Sequence, residues 1–310
     1  MQLIEHQFTA MGSPCRLTFY SESQTDANNI KRAAVEEMER LEAKFSRYRD
    51  TSLLTKINNA AGSDQRFELD NETWLLLQYA TIAYKESDGL FDVTSGVLRK
   101  AWDFKHPKLP DATLLESLKA KIGFQNVPLS KDSFHLPVEG MQMDFGGIVK
   151  EYAADVLANF MAQVGVNHGM VDLAGDICAV GPHPDGKPWD IGISHPANPS
   201  QAIAYIPLHS GGLASSGDYA RFFELDGKKY SHLLNPLTGW PIEGLAGVSV
   251  WAEQCIVAGT LATVTMLKGS EAGKEWIKSV GAPFVTVDQD FNVETIDENW
   301  AHIPAQTAVV

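Results

Sequence analysis

Apolar residues in the first half of the chain recur with the periods of both strands and helices. Residues 15–20 alternate between apolar and polar, which predicts a strand with one buried face. A helix is predicted next from apolar residues at helical spacing: Ile30, Ala34, Met38, Leu41 and Phe45. A second helix is expected over residues 71–89, with Asn71 as its N-cap and Gly89 just beyond its end. Residues 111–124 predict a short surface helix.

The second half of the chain is richer in strands. Residues 168–181 and 189–196 have the apolar content of buried strands, and residues 247–253 predict a further one. Asp226-Gly227 separates two apolar-rich runs and predicts the two-residue turn of a β-hairpin. Hairpins and separate helices favour an α+β fold, with mixed but mainly antiparallel sheets and flanking helices, over a doubly wound parallel sheet. We expect one domain over residues 1–310.

Residues 255–267 predict a buried helix of unusual composition. Gly259 lies in its middle, where glycine costs about 1 kcal/mol relative to alanine. Thr260, Thr263 and Thr265 bring hydroxyl groups that each need a hydrogen-bond partner. Back-bonding of the threonines to the preceding turn, together with close helix packing at the glycine, explains both features without a functional role.

Composition and charge restrict the class of function. The 310 residues are 44% hydrophobic and 21% charged, which is typical of a globular protein. A formal net charge of -14 argues against binding of nucleic acid or of an anionic membrane surface. The three cysteines have neither CxxC nor Cys/His spacing, so no disulfide framework or zinc site is indicated. No segment resembles a membrane span or signal peptide. A cytoplasmic location is expected, or a periplasmic one if a leader has been removed.

One stretch, residues 142–161, has the order expected of an anion site. A strand is predicted to end at Asp144, two glycines make a turn, and a helix follows with Lys150 in its first turn. Free N–H groups and the helix dipole attract anions at such a helix start. A tight strand-to-helix connection with a solvent-facing lysine explains the same pattern.

Another candidate for chemistry is His232, which precedes a turn near the end of the predicted hairpin. A histidine there is suited to general-base catalysis, although a half-buried histidine with one satisfied nitrogen is the commoner situation. A hydrolase that uses Ser215 or Ser216 with His232 has little support, because the chain lacks a GxSxG nucleophile elbow.

Eight segments, taken in order along the chain, carry a further signal: residues 11–13, 45–58, 89–96, 144–155, 171–177, 215–219, 231–239 and 248–263. Together they resemble one family, the FAD:protein FMN transferases or ApbE family, also known as thiamin biosynthesis lipoprotein-like proteins. The resemblance covers nearly the whole chain.

The resemblance implies a reaction and a set of ligands. Such enzymes bind FAD with Mg²⁺, transfer FMN to a threonine of a target flavoprotein, and release AMP. The attack of a hydroxyl on a pyrophosphate needs charge neutralisation, positioning and a proton acceptor. His232 is the candidate base. The residues that the resemblance assigns to the FAD site are Met11, Tyr48, Leu90, Phe91, Asp92, Asp144, Lys150 and Leu233.

The metal site is where this chain departs from the family pattern. By resemblance, the backbone carbonyl of Val149 and the hydroxyl of Thr263 are Mg²⁺ ligands. A third ligand, an aspartate one helical turn before Thr263, is replaced here by Gly259. Because Mg²⁺ favours anionic oxygen, metal binding is expected to weaken or to depend on the FAD phosphates. Asp176 or Asp218 could be recruited instead, and Gly259→Asp is expected to strengthen metal binding.

Milder departures are Ala174 and Asn235, where the family usually has glycine and aspartate. The resemblance implies an acceptor motif Asp-x-x-Ser/Thr-Gly-Ala-Thr in the target flavoprotein. Residues 92–98 begin like this motif but end in Val97-Leu98, so self-modification is not expected. Three functions are compatible with the sequence: an FMN transferase with a weakened metal site, an FAD-binding homologue without transferase activity, and an FAD pyrophosphatase.

Overall fold

Helices and strands alternate irregularly along the chain in the computed structural model, which describes residues 1–296 and 300–304. The helices are α1 Gln24–Phe45, α2 Leu53–Asn59, α3 Asn71–Glu86, α4 Ala112–Lys119, α5 Val149–Gln163, α6 Cys255–Lys268 and α7 Ser270–Val280. The strands are β1 Gln2–Ala10, β2 Ser13–Ser21, β3 Gly169–Leu173, β4 Asp176–Gly181, β5 Trp189–His195, β6 Asn198–Leu208, β7 Gly211–Gly217, β8 Phe222–Leu225, β9 Lys228–Ser231, β10 Gly247–Ala252, β11 Phe284–Val287 and β12 Val293–Thr295.

The chain divides into two compact units. Unit 1 contains Met1–Arg40, Ile148–Tyr219 and the described part of Gly244–Val310, and unit 2 contains Leu41–Gly147 and Ala220–Glu243. The expectation of one domain over residues 1–310 stays a prediction. No helix among the described residues is long and apolar enough to cross a membrane.

Unit 1 is built on one eight-stranded sheet in the order β1-β2-β3-β4-β7-β10-β11-β12, with every described pair antiparallel. In β2 the apolar side chains of Cys15, Leu17 and Phe19 are buried, as their alternation predicts. Helices α5 and α6 contact the central strands and each other. The prediction of an α+β fold with mainly antiparallel sheets is confirmed.

Unit 2 contains the β8-β9 hairpin, which is also confirmed. Asp226 and Gly227 have φ values of 52° and 76°, the left-handed conformations that a two-residue hairpin turn requires. Trp102 packs against the hairpin side chains Phe223 and Tyr230, and its indole Nε1 donates a 2.8 Å hydrogen bond to the carbonyl of Gly239. The hairpin and the turn after His232 are therefore anchored to the same buried indole.

Three local predictions are corrected by the structure. The N-cap of α3 is Asp70, because its carboxylate accepts a hydrogen bond from the backbone of Thr73. Helix α4 ends at Lys119, so it is shorter than the predicted span 111–124. The segment that ends at Asp144 is not a strand. Its backbone pairs instead with a side chain: Asn58 Nδ2 donates to the carbonyl of Met143 at 2.9 Å, and Asn58 Oδ1 accepts from its N–H at 2.8 Å.

This amide pairing yields a stability prediction. Asn58→Ala leaves both backbone groups of Met143 without their partner, so it is expected to lower the free energy of unfolding by about 1–3 kcal/mol in urea titrations. Asn59→Ala, at an exposed position of the same helix, is the matched control and is expected to change it by less than about 0.5 kcal/mol. Equal effects of the two substitutions would contradict this role for Asn58.

Candidate functional site

The first turn of α5 carries Lys150, which is committed to an internal ion pair. Its ammonium contacts the buried carboxylate of Asp176 at the start of β4 and donates a 3.2 Å hydrogen bond to the carbonyl of Leu173. Burial lowers the pKa of Lys150, but the carboxylates of Asp176 and Glu151 outweigh it and raise the pKa above its ordinary value. Lys150 is therefore a fixed positive charge rather than a solvent-facing side chain.

Next to Lys150, Glu151 turns into the interior against α6. Its side chain is buried, with 7% of the residue exposed. A Cβ built on Gly259 of α6 would lie 2.5 Å from Glu151 Cγ and 3.0 Å from Oε1. Glycine at position 259 thus makes room for the glutamate of the neighbouring helix, which is the close packing expected from the sequence.

Asp155, one turn further along α5, fixes this helix pair. Its Oδ1 accepts a 2.7 Å hydrogen bond from the N–H of Cys255, and its Oδ2 accepts one of 2.9 Å from Ile256. The N-cap of α6 makes no side-chain cap of its own, so Asp155 satisfies free N–H groups at the start of that helix. Since residue 155 meets the start of α6 and residue 151 meets position 259, the two helices run antiparallel.

Thr263 follows Gly259 by one turn of α6. Its Oγ1 forms a 2.7 Å hydrogen bond with Ser216 Oγ of β7. Thr265 back-bonds to the carbonyl of Leu261 at 2.7 Å, as expected for a buried threonine. The hydroxyl of Thr260 is buried without a hydrogen-bond partner among the described residues. Of the three threonines, only Thr265 makes the predicted back-bond.

In unit 2, Asp144 lies among arginines. Its Oδ2 accepts a 3.0 Å hydrogen bond from Arg47 and lies 3.9 Å from Nε of Arg99, while Oδ1 accepts from the N–H of Gly146 at 2.9 Å. A Cβ on Gly96 would lie 2.6 Å from the Cβ of Asp144, so glycine is needed there for this approach. Two cations around one carboxylate leave a local excess of positive charge, which suits an anionic ligand.

The predicted flavin-contacting residues of unit 2 differ in their surroundings. Tyr48 is 79% exposed, with the Arg47 guanidinium 5.0 Å from its ring centroid. Leu90 is half-buried and Phe91 is buried against Gly147. Asp92 accepts hydrogen bonds from the N–H and hydroxyl of Thr94 and from the N–H of Phe124. Desolvation raises the pKa of Asp92 despite these bonds. The hydrogen bonds themselves give the side chain a structural role, because they connect Thr94 with Phe124.

His232 is half-buried, with its ring nitrogen Nδ1 enclosed and without a hydrogen-bond partner among the described residues. Burial, followed by the positive charges of Arg99 and Arg221, lowers the pKa of His232 to about 4. The imidazole is therefore neutral at pH 7 and able to accept a proton. Next to it, Leu233 is half-buried and its carbonyl accepts a 2.9 Å hydrogen bond from Ile242.

Two of the departures from the family pattern are accommodated locally. Ala174 adopts a left-handed φ of 57° in the turn between β3 and β4, a conformation that glycine would adopt with less strain. Asn235 Oδ1 accepts hydrogen bonds from the backbone of Leu237 and Thr238 at 2.8 and 3.2 Å. An aspartate would provide the same acceptor oxygen, so the turn forms equally well with asparagine at position 235.

The structure distributes the predicted site residues over both units. Unit 1 holds Met11, Val149, Lys150 and Thr263, and unit 2 holds Tyr48, Leu90, Phe91, Asp92, Asp144, His232 and Leu233. Met11 lies in the turn between β1 and β2, with a φ of 50°. Sequence reasoning missed Glu151, Arg47, Arg99 and Arg221. Arg47 lies in the segment 45–58 and Glu151 follows Lys150 in the sequence, but nothing local marks either residue as part of a site.

A metal ion bound by the described residues would need hydroxyl or carbonyl oxygens in addition to carboxylates. The part of the chain that the structure describes has no group of three or more His, Cys, Asp and Glu side chains arranged to hold a metal. Asp176 is paired with Lys150, and Asp218 Oδ2 accepts a 2.9 Å hydrogen bond from Gln289. Glu151 Oε2, by contrast, is buried with no hydrogen-bond partner among the described residues. That carboxylate and the Thr263 hydroxyl are oxygen donors of the kind that Mg²⁺ prefers.

Comparison with known proteins places the chain in a family. Residues 11–285 match the ApbE family. The FAD:protein FMN transferase of Vibrio cholerae serotype O1 is 30% identical over 243 residues, which are 76% of this chain and 72% of the relative. The FAD:protein FMN transferase of Treponema pallidum is 30% identical over 284 residues, which are 84% and 77% of the two chains.

Solved structures agree with this assignment. The crystal structure of the ApbE protein from Thermotoga maritima has a TM-score of 0.85 and 32% identity, and the alignment covers 95% of this chain and 97% of that one. The flavin transferase ApbE from Vibrio cholerae has a TM-score of 0.84 and 25% identity, with 95% and 96% covered. The α+β fold described above is thus that of the flavin transferases. The chain belongs to the ApbE family, as its motifs indicated.

The buried histidine predicts a pH dependence of stability. Because folding lowers the pKa of His232 from 6.5 to about 4, the unfolded chain binds a proton more readily, and stability falls as the pH drops from 6.5 towards 4. Between pH 7 and pH 5 this group accounts for a loss of about 2 kcal/mol. Urea unfolding of His232→Asn should lack that loss, whereas His209→Asn at an exposed position should retain it. Identical pH profiles of wild type and His232→Asn would refute the burial effect.

Proposed function

We propose that this chain is an FAD:protein FMN transferase that attaches FMN to a threonine of a target flavoprotein and releases AMP. The family membership supports a flavin transferase. The observation that carries the reaction is the neutral His232, whose enclosed Nδ1 lacks a partner among the described residues and whose pKa is lowered partly by two arginines. A proton acceptor among fixed positive charges is what hydroxyl attack on a pyrophosphate requires.

The bond changes assign His232 the role of general base. The threonine oxygen forms a bond to the phosphorus of the FMN half, the bond from that phosphorus to the bridging oxygen breaks, and AMP leaves with that oxygen. The hydroxyl proton passes to His232. A pKa of about 4 makes a weak base, and a bound pyrophosphate would offset the charges of Arg99 and Arg221, the part of the shift that is added to the effect of burial.

FAD is the proposed nucleotide, and its contacts are those that the family resemblance assigns. The exposed ring of Tyr48 is suited to stacking on an aromatic ligand. The arginines around Asp144 are suited to the negative charge of phosphates. Asp92 stabilises the backbone of the site, because its carboxylate oxygens accept hydrogen bonds from the N–H groups of Thr94 and Phe124.

Mg²⁺ is the proposed metal, with the carbonyl of Val149 and the hydroxyl of Thr263 among its ligands. When bound, such an ion neutralises phosphate charge and polarises the phosphoryl oxygens. The hydrogen bond between Ser216 and Thr263 holds the threonine side chain in one orientation. Lys150 remains paired with Asp176 and places a positive charge at the start of α5.

The proposed partner is a flavoprotein that carries the motif Asp-x-x-Ser/Thr-Gly-Ala-Thr. The similar stretch of this chain is unsuitable as an acceptor for two reasons. It ends in Val97-Leu98 without a hydroxyl, and both residues are fully buried in unit 2. The acceptor threonine therefore comes from another protein.

A direct assay tests the proposed reaction. The protein is incubated with FAD, Mg²⁺ and a flavoprotein domain that bears the acceptor motif, and the products are followed by intact-protein mass spectrometry and nucleotide chromatography. Gain of one FMN by the acceptor together with AMP is expected. AMP and free FMN without acceptor labelling would indicate an FAD pyrophosphatase, and bound intact FAD without either product would indicate a carrier.

His232 provides the matching mutational test. His232→Asn is expected to lower kcat by about 10²–10⁴-fold, because proton transfer by a positioned base contributes that much, while FAD affinity measured by fluorescence quenching stays nearly unchanged. His209→Asn is the control and should keep full activity. A His232→Asn enzyme with wild-type kcat would exclude His232 as the base.

A further inference from the structure

At the position to which the family resemblance assigns a metal-binding aspartate, the space beside Gly259 is filled by another carboxylate. Gly259 has no side chain, and the space that a Cβ would take is filled by Glu151 of α5, whose Cγ, Cδ and Oε1 would lie 2.5, 3.1 and 3.0 Å from it. The antiparallel pairing of α5 and α6 through Asp155 fixes this juxtaposition. An acidic group is therefore present at this point of unit 1, but it comes from the other helix.

The hydrogen bonding of this carboxylate is incomplete. Only 7% of Glu151 is exposed, and its Oε2 has no partner among the described residues. Its acidic neighbours have partners of their own: Asp155 accepts two backbone N–H bonds, and Asp176 Oδ2, although it also lacks a hydrogen bond within the described part of the chain, is ion-paired with Lys150. Buried polar atoms in native proteins nearly always have a partner, so an unpaired carboxylate oxygen beside the Thr263 helix is suited to accept a cation.

We propose that Glu151 supplies, from α5, the metal-binding carboxylate that α6 lacks at Gly259. A divalent cation held there takes one oxygen from Glu151 and one from the Thr263 hydroxyl, which lies one turn beyond Gly259 on the same helix. The choice of cation rests on the proposed function, in which Mg²⁺ accompanies FAD. The metal site is then relocated between neighbouring helices rather than weakened.

This arrangement changes the expectation for Gly259→Asp. The new side chain would enter space that Glu151 occupies, with its Cβ 2.5 Å from Glu151 Cγ. Two carboxylates would also share a buried site, which repel each other. The single substitution is therefore expected to lower Tm and not to strengthen metal binding, unless Glu151 is removed at the same time.

The first experiment measures Mn²⁺ affinity by electron paramagnetic resonance, with the full chain saturated with FAD. Glu151→Gln keeps the size of the side chain and removes its charge, and we expect it to weaken Mn²⁺ binding at least about 10-fold. Glu271→Gln, the same change at an exposed position of α7, is the control and should bind as wild type does. Equal affinities of both variants, or no Mn²⁺ binding by wild type, would overturn the proposal and indicate a glutamate that only fills space.

A swap of the two positions gives a second test if Glu151→Gln folds poorly. Glu151→Gly combined with Gly259→Asp returns the carboxylate to α6, and the double variant is expected to recover the Tm lost by Gly259→Asp and to bind Mn²⁺. A folded double variant without Mn²⁺ binding would count against a cation site at this position.

Mn²⁺ affinity and Tm are both independent of FMN transfer. Metal binding through Glu151 without transfer would refute the proposed function alone, and transfer with Mn²⁺ binding indifferent to Glu151 would refute this proposal alone.

Discussion

The antiparallel contact between α5 and α6 determines the chemistry of unit 1. Asp155 makes this contact specific, because its two oxygens satisfy the N–H groups of Cys255 and Ile256 at the start of α6. With that register fixed, Glu151 must meet position 259, and only glycine leaves room for it. Burial of the Glu151 and Asp176 carboxylates, with half-buried Asp155 one turn away, is costly. Lys150 offsets part of that cost through Asp176, and a bound cation would offset more.

In unit 2, arginines are concentrated around Asp144 and His232. The chain as a whole carries a formal net charge of -14, yet Arg47 and Arg99 both approach Asp144, and Arg99 and Arg221 act on His232. An acidic protein that takes an anionic nucleotide needs such a local concentration of cations. Arg99 and Arg221 add to the effect of burial in keeping His232 neutral, so a ligand that neutralises these arginines would also affect the pKa of His232.

Local signals allowed much of the fold to be predicted. The β8-β9 hairpin followed from Asp226-Gly227, and β2 followed from alternating apolar residues, because turn chemistry and period act over a few residues. The segment before Asp144 was wrongly predicted as a strand, since Met143 pairs with the side chain of Asn58 and the N–H of Asp144 donates to the carbonyl of Val93, both far away in the sequence. For the site, resemblance to the family identified Gly259 as a departure. It could not reveal Glu151 as the neighbour, because that requires the packing of two helices.

In the proposed metal site, Glu151 provides the carboxylate for a divalent cation beside Thr263. The most direct measurement is anomalous diffraction from crystals of the protein grown with FAD and Mn²⁺. We expect one manganese peak within about 2.0–2.4 Å of an oxygen of Glu151 and of the Thr263 hydroxyl. A manganese peak bound elsewhere, with the Glu151 carboxylate still packed against Gly259 and without metal contact, would contradict it.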